Sequence, residues 1–416
     1  MKPIARQLLP GLLSRTAAEG SGTLNLDGPG VPRPHRRTTG SGEPSVTVTV
    51  TDARTWSAIL RHGSVGLADS YTQGWWTTDN LTDAVRIAFR RSAGYRSFLE
   101  AVARHGGRPL DALRSLRAPV KTTDRANIAA HYDLSNEFFA LMLDPTMAYS
   151  CAYFAEADDS LEKAQLAKFD RLATKLRLGP DDDVVEIGTG WGGLAVHLAE
   201  RYGCRVTTTT ISQAQRDFAA KRVADLGLAH RVTVLGDHYR DLTGKYDALV
   251  SVEMIEAVDW RHHDDFFTCC ANLLGTKGRM GLQAITIADG SFERAKHHDD
   301  FVRREVFPGS CLPSLAAIAG SVGRTSDLRI VDVEDIGPHY AETLRRWRQN
   351  VADNAGSVAQ LGFDESFLRY WEMYLCYCEA SFLERHVSDV QLVLARPAAE
   401  PVARVGEPLA TARATP

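Results

Sequence analysis

The run VVEIG opens into GTGWGG and then into the apolar-periodic LAVHLAERYG, so Gly188, Gly190, Gly192 and Gly193 fall where a strand turns into a helix. Glycines at such a turn let a ligand approach the backbone closely, and the helix N-terminus offers free N–H groups to a polar or anionic moiety. A nucleotide-like cofactor is implied. Further on, the acids Glu253 and Glu256 follow the apolar strand YDALVSV. Open α/β sheets bind their ligands at that carboxyl edge. Two carboxyls converging there repel each other and lose water, which raises the pKa of one and suits it to proton transfer.

A dinucleotide-binding turn reads GxGxxG, whereas GTGWGG has glycines at its first, third, fifth and sixth positions and the bulky Trp191 between them. The pattern E-x-G-x-G-x-G from Glu186 instead resembles motif I of class I methyltransferases, whose loop holds the methionine part of S-adenosylmethionine. In most such folds an acid ends the second strand and binds the ribose. Here that strand ends TTTTIS, which leaves Thr210, Ser212 and Gln215 for the ribose. Asp237 and His238 follow the third strand, where the adenine is usually read.

The elements that must position these residues begin near Ser45. Residues 16–45 are rich in Gly, Pro, Ser and Thr, and residues 1–44 are expected to be a flexible segment. SVTVTV then alternates as a half-buried strand does, opening a small accessory domain over 45–116. Strands are expected at Asp183–Gly188, Arg205–Thr210, Arg231–Gly236, Tyr246–Val252, Arg279–Ile287, Leu328–Ile336 and Val390–Arg396. Helices begin near Gly192, Ser212, His262, Ala341 and Asp364, and a helical insertion covers Gly290–Val322. Strands alternating with amphipathic helices mark βαβ units. The expected fold is α/β, a Rossmann-like class I methyltransferase sheet with helical insertions over 117–397, followed by a disordered tail over 398–416.

With 48 Lys and Arg against 52 Asp and Glu, no global positive field draws the chain to nucleic acid or to an anionic membrane. The seven cysteines are odd in number and never spaced CxxC, which argues against a disulfide framework or a zinc site and favours a reducing cytoplasm. Pro10 and Gly11 break the only N-terminal apolar patch, and the uncharged run Val306–Gly323 is too polar and proline-broken to span a bilayer.

T-I-S-x-x-Q after the second strand resembles the cyclopropane fatty acid synthase family. HYDLSNEFF, MAYSCAYF, SVEMIEAV, QAITI, VFPGSCLPS, GPHYAETLRRW and MYLCYCEASF are similar to that family in the same order. The resemblance implies methyl transfer from S-adenosylmethionine to the cis double bond of an unsaturated phospholipid acyl chain, giving a cyclopropane. The alternatives are a mid-chain methylene or methyl branch of the tuberculostearic type, a small-molecule methyltransferase, or a catalytically silent lipid-binding module. Family members hold bicarbonate through a Cys, a Glu, a His, an Ile backbone and a Tyr. The matching positions are Cys151, Glu256, Gln283 in place of His, Ile285 and Tyr340. Tyr149 and Ser150, with His131 and Tyr132, match the wall of the cofactor site. Arg61–Leu81, with Trp75 and Trp76, resembles the accessory lipid-binding domain of phospholipid-acting members. The expected location is the cytoplasm, peripheral to the inner face of the membrane. Expected partners are the phospholipid, a second copy of the chain, and a reductase where the product is a methylene branch.

An alkene is a weak nucleophile, so the methyl must be held in line with it, and the resulting carbocation needs a dry aromatic cavity and a base. Glu253 stands where several family members have glycine, and it is the expected base, replacing or assisting bicarbonate. The alternative is a structural role, as a helix cap or the partner of a buried arginine. For Cys151 the alternative is a small buried hydrophobe.

Overall fold

The computed structural model describes residues 22–29, 31, 36–39, 41–91 and 135–400. His131, Tyr132 and the tail beyond residue 400 lie outside these. The chain divides into two compact units, one comprising Met1–Thr123, Asp299–Pro308 and Ala352–His386, the other Asp124–His298, Gly309–Val351 and Val387–Pro416.

In the first unit β1 (Thr23–Asp27), β2 (Arg36–Thr39), β3 (Ser45–Val50) and β4 (Trp76–Thr78) form a sheet in the order β2-β1-β3-β4. The expectation that order begins at Ser45 is therefore corrected. TLNLD buries Leu24 and Leu26 in strand alternation and runs parallel to β3, a pattern obscured by the surrounding Gly and Pro. Trp76 is a core residue rather than a lipid-facing indole. It is 2% exposed, and its N–H donates to Ser70 Oγ at 3.0 Å. Trp75 is half-buried beneath the Arg54 guanidinium, 4.4 Å from its ring centroid. The helix Glu365–Leu383, remote in sequence, is tied into this unit by Tyr71 and Thr82, which donate to Glu372 and Glu379 at 2.7 and 2.9 Å.

The second unit carries β5 (Asp183–Ile187), β6 (Arg205–Thr209), β7 (Val232–Leu235), β8 (Tyr246–Val252), β9 (Leu274–Ile287), β10 (Arg329–Asp335) and β11 (Val387–Ala395). Their order is β10-β11-β9-β8-β5-β6-β7; β5 to β9 run parallel, and β11 runs antiparallel to both its neighbours, β9 and β10. The expected strands are present, although β9 starts at Leu274 and β11 at Val387, earlier than the sequence pattern suggests. Val184, Val185, Leu249, Val250 and Leu282 are almost wholly buried, as expected of a parallel sheet covered on both faces. The chain leaves β5 toward β6 and β7, then returns to β8 on the other side. Strand order therefore reverses at β5, which opens a crevice at its carboxyl end.

The helices Gly193–Arg201, Gln213–Asp225 and His263–Leu273 begin where expected. The insertion contains helices Asp289–Ala295 and Leu315–Thr325. Among the described residues no helix is long and apolar enough to cross a membrane.

Candidate functional site

The glycine loop caps β5. Gly188, Gly190 and Gly192 have φ of 104°, 50° and 83°, in the region that disfavours side chains. Gly188 and Thr189 donate their N–H groups to the Thr209 carbonyl at 3.0 and 3.1 Å, locking the loop onto β6. A Cβ placed on Gly190 would meet none of the described residues within 4 Å, which leaves room for a ligand above the loop. Glu186 is buried behind the loop and accepts from Thr208 Oγ1. Burial pushes its carboxyl up to about 8, opposed by that hydrogen bond.

Thr210, Ser212 and Gln215 come together at the head of the following helix. Thr210 Oγ1 donates to Gln215 Oε1 at 2.9 Å, and Ser212 Oγ accepts from the Gln215 N–H at 3.4 Å. Asp237 and His238 follow β7, where Asp237 is exposed and His238 Nδ1 accepts the Arg240 N–H at 3.2 Å as the cap of a short turn.

A chain of aromatic contacts leads from this loop toward the acids. Phe139 lies 4.8 Å from Trp191 and 5.4 Å from Tyr149, Tyr149 lies 5.1 Å from Trp347, and Trp347 meets Tyr340 edge-on at 6.1 Å. Ser150 is buried, and its hydroxyl accepts from Lys168 Nζ at 2.6 Å.

Glu253 leaves β8 in the left-handed conformation, φ 49°, with its N–H donating to the Gln283 carbonyl at 2.8 Å. Its carboxyl accepts three hydrogen bonds. The Cys151 N–H and Gln283 Nε2 each reach Oε1 at 2.8 Å, and the Tyr340 hydroxyl reaches Oε2 at 2.7 Å. Glu256, one short turn on, is buried and accepts from the Ile285 N–H, while its Oε2 has no hydrogen-bond partner among the described residues. Burial and the charge of Glu253 push the Glu256 carboxyl up to about 8. Cys151 contributes its backbone rather than its sulfur. The thiol is fully buried beside the Ala152 and Ile336 carbonyls, and burial pushes its pKa well up.

The structure thus brings together Cys151, Glu253, Glu256, Gln283, Ile285 and Tyr340. Sequence reasoning missed Lys168, Asp389, Gln391, Phe139 and Trp347. Lys168 had left a signal, because it stands on the stripe of Ala164 and Leu172, both buried, along the helix Leu161–Leu176. Asp389 and Gln391 also interrupt a run of buried apolar residues in β11.

A parallel sheet with a reversal at a glycine loop, an open space above that loop, and an aromatic path to buried acids define a class I S-adenosylmethionine-dependent methyltransferase. The chain belongs to the cyclopropane synthase family, whose model, described as mycolic acid cyclopropane synthetase, matches residues 120–392. It is 40% identical over 347 residues to the tuberculostearic acid methyltransferase UfaA1 of Mycobacterium tuberculosis, covering 81% of this chain and 80% of that one. It is 33% identical over 362 residues to the cyclopropane-fatty-acyl-phospholipid synthase of Escherichia coli, covering 86% and 89%. Mycolic acid cyclopropane synthase CmaA1, solved with S-adenosylhomocysteine and the detergent CTAB, superposes with a TM-score of 0.61 at 30% identity, over 66% of this chain and 99% of that one. The reaction is methyl transfer from S-adenosylmethionine to a lipid acyl chain.

Proposed function

We propose that the chain methylates the cis double bond of an unsaturated phospholipid acyl chain, with Glu253 as the base, and that the product is a mid-chain methylene branch. The carrying observation is the Glu253 carboxyl, half-buried and fixed by the Cys151 N–H, Gln283 and Tyr340. Cys151, Gln283 and Tyr340 match positions that hold bicarbonate in the resembling family, so a side-chain carboxylate serves here in place of the ion.

S-adenosylmethionine supplies an electrophilic methyl whose bonding pair stays on sulfur. Gly188, Gly190 and Gly192 would hold its methionine part, Thr210, Ser212 and Gln215 its ribose, and Asp237 and His238 its adenine, with Tyr149 and Ser150 as wall. The alkene pair forms the new C–C bond and leaves a cation on the neighbouring carbon. Tyr149, Trp347 and Tyr340 offer it ring faces and exclude water. Glu253 then takes a proton from the transferred methyl. If the C–H pair closes onto the cation at once, a cyclopropane forms. If a hydride first shifts from the methyl-bearing carbon to the cation, the same pair becomes the double bond of a methylene branch, C=CH2, on the chain. The base serves either route.

Higher identity to the tuberculostearic acid methyltransferase than to the phospholipid cyclopropane synthase favours the methylene. A methyl branch then requires a reductase as hydride donor. The substrate places the enzyme at the inner membrane face, where a second copy of the chain is the other expected partner.

Expression in a host rich in cis-unsaturated phospholipid and lacking its own cyclopropane synthase tests this reading. Fatty acid analysis by mass spectrometry and proton NMR should show the olefinic protons of a C=CH2 branch. Cyclopropane ring protons alone would overturn the product assignment, and unmodified acyl chains would overturn the substrate.

A further inference from the structure

Behind Glu253 lies a buried polar layer inside the sheet. In the β9–β11 register Gln391 is opposite Gln283 and Asp389 opposite Ile285, so three polar side chains meet inside the sheet. All three are completely buried. The Gln283 amide donates one hydrogen to Glu253 Oε1 at 2.8 Å and the other to Asp389 Oδ2 at 2.9 Å, while its carbonyl oxygen accepts from Gln391 Nε2 at 3.1 Å. Every polar position of that amide with a directional demand is therefore engaged. A flip would turn its carbonyl against two carboxyls.

Among the described residues the charges facing Glu253 are Glu256 from the turn after β8, Asp389 from β11 and Lys168 from the helix Leu161–Leu176. The Cys151 thiol and Tyr340 hydroxyl also face it. Asp144 acts on Lys168 as well but has Arg222 as its own counter-charge. Burial pushes the Lys168 pKa down while Glu253, Cys151, Asp389 and Asp144 oppose that shift, and even a charged ammonium there cannot balance three carboxylates, because each unpaired buried charge costs several kcal/mol, roughly. The negative charge goes where donors are most numerous. Among the described residues Glu253 accepts three hydrogen bonds, whereas Glu256 and Asp389 each accept one from an N–H, with the Cys151 thiol and the Glu253 carboxyl also bearing on Asp389.

We propose that Asp389 and Lys168 are positioning residues for proton removal: Asp389, as a neutral acid, keeps the Gln283 amide turned toward Glu253, and Lys168 is the one cation among the described residues that faces the Glu253 carboxyl. This rests on the reading of Glu253 as base. Burial and the neighbouring Glu253 hold Asp389 well above the ordinary carboxylate range, in keeping with its neutral form.

The test is the pH profile of kcat in four variants of the full-length enzyme on phospholipid vesicles. Asp389→Asn retains an oxygen acceptor for Gln283 and should keep the rate within a few-fold and the acid limb in place, whereas Asp389→Ala should lower kcat at least tenfold with the affinity for S-adenosylmethionine unchanged. Lys168→Met should move the acid limb up by about one pH unit or more, since the site loses a nearby positive charge. Glu253→Gln separates the two readings. If it is as active as wild type, the base assignment falls. If it is inactive while Asp389→Ala and Lys168→Met behave as wild type, only the present proposal falls. An acid limb moved down in Asp389→Asn would show that Asp389 is ionised and overturn its role. Should Lys168→Met fail to fold, carboxyl infrared spectra of the Asp-labelled wild type and Asp389→Asn decide. A protonated-carboxyl band at neutral pH that vanishes in the variant is expected, and a band unchanged by the substitution would overturn the proposal.

Discussion

The Tyr340 hydroxyl donates to Glu253 Oε2 over 2.7 Å, joining the helix Gly337–Asp353 to the turn after β8. Tyr340 is 6% exposed, so little water can replace it. A hydrogen bond to a charged group contributes about 1.5–3 kcal/mol. Tyr340→Phe should therefore lower kcat roughly ten- to a hundredfold, at about 1.4 kcal/mol per decade. The affinity for S-adenosylmethionine, measured by calorimetry, should not change. Equal losses in affinity and rate would place Tyr340 in cofactor binding instead.

Gly190→Val should abolish cofactor binding. The position has φ 50°, where a β-branched residue is strained by about 1–3 kcal/mol. Its Cβ meets no atom of the described residues within 4 Å, so the side chain would enter the space assigned to the ligand. Calorimetry should detect no binding to a variant whose circular dichroism remains native. Unchanged affinity would refute the assignment of this loop.

Glu256 makes stability depend on pH in a defined direction. Its folded carboxyl is raised to about 8 from an ordinary 4.5, so the native state binds more protons than the unfolded chain between those values. Its contribution is fully present below the unfolded pKa and is lost as pH rises through about 8. The melting temperature of Glu256→Gln relative to wild type should therefore increase from pH 5 to pH 9. A constant difference would mean that Glu256 titrates normally in the fold.

Local chemistry made much of this legible. GTGWGG between an apolar strand and a helix announced the loop, because close backbone approach needs glycine there, and period-2 and helical patterns announced β5 to β9. What was illegible depends on pairing between distant segments. Nothing near Gln283 says that β11 lies beside β9, yet that antiparallel insertion brings Asp389 and Gln391 to it across more than a hundred residues of chain. Nor could sequence say that Cys151 serves through its N–H, since that depends on how the chain passes Glu253. β1 escaped because a five-residue alternation is easily lost amid glycine and proline.

The last prediction turns on the backbone of Glu253. At φ 49° the position favours glycine, so Glu253→Gly should relieve strain as it removes the carboxyl, and the protein should fold at least as well as wild type. The three donors left behind, the Cys151 N–H, the Gln283 amide and the Tyr340 hydroxyl, would face a space the size of a carboxylate. Bicarbonate has the shape and charge to fill it. Glu253→Gly should be nearly inactive without bicarbonate and recover part of its turnover, saturably, as the ion is added. Glu253→Gln keeps the shape but cannot take the proton, so it should lose most of its turnover, bind S-adenosylmethionine normally and show no rescue, because the amide occupies the ion's place. Measured side by side on unsaturated phospholipid, the two variants separate base from scaffold. If Glu253→Gln keeps the wild-type rate and product, Glu253 is structural. If both variants are inactive and bicarbonate restores neither, the carboxylate acts at this position in a way the free ion cannot reproduce.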